Sequence, residues 1–89
     1  MEFGIILATK RLFDYAEKSP VFRAELSAIF ARYCLGDWGE LCQEDREQNN
    51  RAVALGERVL GSYDTSAGKV WIITEWDRSA TTFLFPSEY

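Results

Sequence analysis

Hydrophobic and polar positions alternate along this chain with two different periods, and the change of period divides it into elements. Lys69–Glu75 and Ala80–Phe85 are dense in β-branched and aromatic residues, which suit a pleated, half-buried surface. The largely polar stretch Trp76-Asp77-Arg78-Ser79 separates them, so the pattern predicts two strands joined by a turn. Glu57–Tyr63 predicts another strand, with Asp64–Gly68 as the hairpin loop between it and the next. Connections this short make the three strands an antiparallel meander.

Upstream the period becomes helical. Lys10–Lys18 has one apolar face, Leu12, Phe13 and Ala16, and Thr9 is placed to cap it. Ser19-Pro20 ends that helix and starts the next, with Ser19 as cap and Pro20 at the first position. Pro20–Cys34 carries a continuous stripe of Phe22, Leu26, Ile29, Phe30 and Tyr33. Gly36 stops it, and Gly36-Asp37-Trp38-Gly39-Glu40 predicts a turn whose Trp38 folds back onto the core. Leu41–Leu55 predicts a third helix with a polar middle, a break near Asn49, Asp37 capping its start and Gly56 ending it. Phe3–Thr9 is a continuous apolar run, which predicts a strand buried on both faces. The fold class is therefore α+β, in the order β-α-α-α-β-β-β, with helices on one face of a mainly antiparallel sheet.

Composition narrows this further. Eighty-nine residues make a single domain with a small core. Ten Lys and Arg stand against fourteen Asp and Glu, for a net charge of −4. That balance lacks the basic footprint of a nucleic-acid binder. Two Cys, Cys34 and Cys42, and no His fall short of a four-ligand zinc site. Both are expected to be reduced and buried as small hydrophobes. Met1-Glu2-Phe3 lacks the basic stretch of a secretory signal, and Phe3–Ala8 is too short to span a membrane. The expectation is a cytoplasmic protein.

Gly36-Asp-Trp-Gly39, Glu44-Asp45, Asn49, Trp71-Ile-Ile-Thr-Glu75, Asp77-Arg-Ser79, Thr81-Thr82 and Pro86-Ser-Glu-Tyr89 together resemble a family of small plasmid-related bacterial proteins carried on mobile elements. The resemblance spans about Phe3 to Tyr89 and brings no catalytic residues with it. It departs from the family's usual turn at Trp76, where a small residue such as Ala is commoner. What it implies is a mobile-element setting; with the small size, the acidic balance and the lack of a catalytic set, the expectation is a non-enzymatic factor that binds a protein partner, most concretely an anti-CRISPR or anti-restriction inhibitor.

The candidate residues follow. Glu40, Glu44 and Glu47 with Trp76 form a candidate partner-binding set, acids that steer toward a basic surface plus an aromatic anchor. Asp37, Asp45, Glu75, Asp77 and Arg78 form a candidate structural cluster, in which Arg78 clamps Asp45 or Glu44. The expected partner is a CRISPR or restriction complex, with a homodimer also open, and neither nucleic acid nor membrane. Paired carboxylates, Glu44/Asp45 with Glu75/Asp77, leave a small metal-dependent enzyme as an alternative. A regulatory or toxin–antitoxin-like module is a third. No catalytic residue, metal ligand or cofactor is assigned.

Overall fold

A computed structural model describes residues Met1–Tyr89. Strand β1 is Ile5–Ala8, followed by helices α1 (Lys10–Lys18), α2 (Pro20–Cys34) and α3 (Gln43–Leu55). Strands β2 (Val59–Thr65), β3 (Gly68–Thr74) and β4 (Ala80–Leu84) complete the sheet, and Pro86–Glu88 forms a short 3-10 turn. The sheet order is β1-β4-β3-β2. The last three strands are an antiparallel meander, and β1 lies parallel to β4 at one edge. No helix is long and apolar enough to cross a membrane.

The two helix starts form for the reasons their sequences suggest. Thr9 Oγ1 accepts from the Leu12 N–H, and Ser19 Oγ accepts from the Phe22 N–H. Each side chain satisfies a donor that the first helical turn leaves unpaired. In α2 the apolar stripe buries Phe22, Ile29 and Tyr33, while Leu26 and Phe30 are half-covered against the same cluster. That cluster joins α1 (Leu12, Ala16), α3 (Ala52) and the inner sheet face (Val59, Tyr63, Val70, Ile72, Phe83). Trp38 is buried against it, with its ring edge-on to Tyr33 at 5.3 Å. On the outer face, Tyr89 packs against Trp71 and the Arg58 guanidinium covers the Tyr89 ring.

A chain of hydroxyls crosses the core. Tyr33 Oη lies 2.6 Å from Thr74 Oγ1, which lies 2.8 Å from Thr81 Oγ1. Thr81 donates to the Phe3 carbonyl at 2.7 Å. Each hydroxyl has one proton, so Thr81 has none left for Thr74. Thr74 therefore donates to Thr81, and Tyr33 donates to Thr74. Burial pushes the Tyr33 hydroxyl up to about 12, a charged phenolate being costly there. Burial likewise raises Tyr63, whose hydroxyl donates to the Asp37 carbonyl at 2.7 Å.

The two sheet edges differ. On β2, the Asn49 amide both donates to the Leu60 carbonyl and accepts from its N–H. Two residues on, the Ser62 N–H donates to the Trp38 carbonyl, and the Glu40 N–H donates to the Ser62 carbonyl at 2.6 Å. Gly39 sits at φ 78° between them, and a Cβ there would collide with the Ser62 carbonyl. The β2 edge is thus sealed by a side chain and a loop.

Four expectations are corrected. β1 is not buried on both faces: it is an edge strand, with Ile5, Ile6 and Leu7 exposed by 67, 51 and 47%. The helix near Asn49 does not break, because the Asn49 side chain is engaged by β2 and does not compete for its own backbone. Asp37 does not cap α3: the helix begins only at Gln43, well beyond Asp37, and Cys42 takes the cap position without a side-chain bond. Cys34 and Cys42 are free but exposed, one at the last position of α2 and the other at the start of α3.

Candidate protein-binding surface

The β3–β4 turn is closed by backbone bonds from Glu75 N–H to the Ala80 carbonyl and from Arg78 N–H to the Glu75 carbonyl. Asp77 Oδ1 accepts from the Ser79 N–H at 3.0 Å. Hydrogen bonding to the side chain and the backbone N–H of Ser79 holds the Asp77 carboxyl below the usual carboxylate range. Arg78 takes a left-handed conformation at φ 60°, which disfavours a side chain with a Cβ. The compensation lies in its guanidinium.

Arg78 Nη1 donates to the carbonyls of Glu57 at 2.6 Å and Glu75 at 3.1 Å, and Nη2 donates to the Ala52 carbonyl at 3.1 Å. The expected clamp between this turn and α3 is present, but its acceptors are main-chain carbonyls, not Asp45 or Glu44. The reason is the end of α3. That helix has no basic residue in its last turn, and its final carbonyls carry the negative end of the helix dipole. Arg78 supplies the missing cation from a distant element. Arg78→Met is therefore expected to cost about 1–3 kcal/mol, because it removes three charge-assisted bonds and keeps the unfavourable φ. An unchanged urea midpoint would show that these bonds contribute nothing.

On the other side of the turn, the Ile5 N–H donates to the Ser79 carbonyl at 3.0 Å. The turn is pinned to α3 and to β1 at once, and Trp76 stands on it 67% exposed.

Glu40, Glu44 and Glu47 are all exposed, and Glu44 lies in the first turn of α3, where the dipole favours an acid. At about 1.5 Å per residue, Glu44 and Glu47 stand roughly 12 and 8 Å along the helix from Ala52, which Arg78 grips. The acids and Trp76 therefore lie toward opposite ends of α3. Asp37 pairs with Arg32 through two bonds, of 2.7 and 3.3 Å, and accepts from the Gly39 N–H. The Arg32 bond draws its carboxyl below the ordinary range.

The carboxylates proposed to pair do not converge. Glu75 faces Arg58 at 3.7 Å, and Asp77 turns back on Ser79. Asp45 lines a polar recess of about 380 Å³ with Gln48, Glu57 and Arg58. No three Cys, Asp or Glu side chains come together in a way that could hold a metal ion. Sequence reasoning missed Arg58, whose place between Glu75 and the Tyr89 ring depends on strand pairing, and it missed the exposed edge of β1. The signal for the latter was present in the uncharged run Phe3–Thr9, but a run of that kind reads equally as interior.

Comparison of the chain with protein-family models, curated proteins and solved structures returned no match.

Proposed function

We propose that this chain is a non-enzymatic, protein-binding factor of mobile genetic elements, an anti-CRISPR or anti-restriction inhibitor that occludes a basic surface of a host defence nuclease. The observation that carries the reading is Trp76, an exposed indole on a turn held rigid from both sides. A large aromatic presented without loss of loop entropy is the usual anchor of a protein interface. The exposed acids at the start of α3 add the charge that would steer such a surface toward a basic partner. The mobile-element setting rests on the family resemblance.

The test is transformation of plasmid DNA into cells carrying an active CRISPR or restriction system, with and without the protein. Trp76→Ala is expected to abolish protection and to weaken partner binding by roughly 30-fold, the equivalent of about 2 kcal/mol, while circular dichroism stays unchanged. Reversing the charges of Glu44 and Glu47 should slow association most at low salt. Absence of protection across a panel of such systems would overturn the proposal. So would a Trp76→Ala protein that protects as well as the parent.

A further inference from the structure

β1 pairs with β4 through Ile5, Leu7 and Thr9. The Ile5 N–H donates to the Ser79 carbonyl and the Thr9 N–H to the Phe83 carbonyl. Backbone groups alternate along a strand, so the N–H and C=O of Ile6 and Ala8 point away from the sheet. No other element meets them. An open edge of this kind templates a further strand. Beside it runs an apolar groove of about 440 Å³, lined on eight of nine positions by hydrophobic residues from β1, α1, α2 and β4. Phe13 stands on its rim, 53% exposed.

We infer that this edge is a homodimer interface, in which β1 of a second copy pairs antiparallel with β1 about a two-fold axis at Leu7. In that register the Ile6 N–H donates to the second copy's Ala8 carbonyl, the Ala8 N–H donates to the second copy's Ile6 carbonyl, and symmetry doubles both bonds. Ile6 lies opposite Ala8, so a large side chain meets a small one on the groove side, and each copy offers both a groove and a projecting Phe13. A two-fold interface requires a surface complementary to itself.

Charge points to the same occupant. Phe3–Thr9 and the groove carry no charged residue, so two chains of net charge −4 approach here without opposing like charges. The run is flanked by Glu2 at one end and by Lys10 and Arg11 at the other. Antiparallel pairing sets the acidic end of one copy's run toward the end of its mate at which α1 begins with Lys10 and Arg11. The other edge cannot compete, since Asn49, Trp38 and Glu40 occupy it. Stable interfaces cover on the order of 800 Å² per partner. The open side chains of β1, the rim Phe13 and the walls of the groove together offer less than that. The dimer should therefore be weak and dissociate on dilution.

Sedimentation equilibrium of the full chain, from low micromolar to millimolar, tests this. The parent is expected to pass from monomer to dimer across that range. Leu7→Lys places two ammonium groups across the axis, and Ala8→Pro deletes an outward N–H while leaving the β4 bonds intact. Each is expected to weaken association at least 10-fold with an unchanged circular dichroism spectrum. The amides of Ile6 and Ala8 should exchange more slowly in the dimer. A parent that is monomeric throughout, or a dimer insensitive to both substitutions, overturns the inference.

Discussion

Phe22→Ala is expected to lower the unfolding free energy by about 3–5 kcal/mol, the range for truncating a buried phenylalanine. Phe22 has no exposed surface. Its ring meets Tyr15 edge-on at 5.0 Å and stacks on Phe85 at 6.1 Å, so it joins α1, α2 and the end of β4. A domain of this size has a total stability of roughly 4–13 kcal/mol, so this one side chain accounts for a large share. Phe30→Ala on the same helix should cost less, because Phe30 is only partly covered. Urea unfolding of both variants measures the two costs. A larger loss at Phe30 would mean that the centre of the core lies elsewhere.

The fold is also expected to weaken steeply in alkali. An unfolded tyrosine releases its proton near pH 10, whereas Tyr33 holds its proton to about 12 and Tyr63 is shifted the same way. The folded pKa values are the raised ones, so their contribution is complete below about pH 10. It is lost as pH rises through the folded values. For Tyr33 alone the difference amounts to about 3 kcal/mol at full ionisation. Urea unfolding near pH 8 and near pH 11 should show the loss, with tyrosinate absorbance rising as the fold is lost. Tyr33→Phe removes one of the two protons and should flatten the dependence. Equal unfolding free energies at the two pH values would show that the buried hydroxyls are not what the fold protects.

The helices and the meander were legible because each rests on local chemistry. Thr9 and Ser19 accept from N–H groups three residues away, and Gly56 adopts the left-handed angle that ends α3. The β2–β3 and β3–β4 hairpins need only short turns. What failed depended on distant pairing. The run at Phe3–Thr9 is as apolar as a central strand, yet β1 became an edge because the chain returns as β4 on one side of it only. Arg78 was correctly read as a tie to α3, but its acceptors are carbonyls, which a search for opposite charges does not find. Asn49 looked like a helix breaker because its partner, Leu60, belongs to an edge that forms only with the sheet.

Asn49 and the Trp38–Glu40 loop together give the sheet a valence of one. A four-stranded sheet with two free edges can add strands at both and so propagate into a fibre. Here the amide of Asn49 and the Trp38–Glu40 loop occupy the β2 side. Any strand that docks on β1, whatever its source, is followed by no further growth beyond β2. Assembly through the sheet ends after a single addition, and its stoichiometry is fixed by one side chain on a helix together with the loop before it.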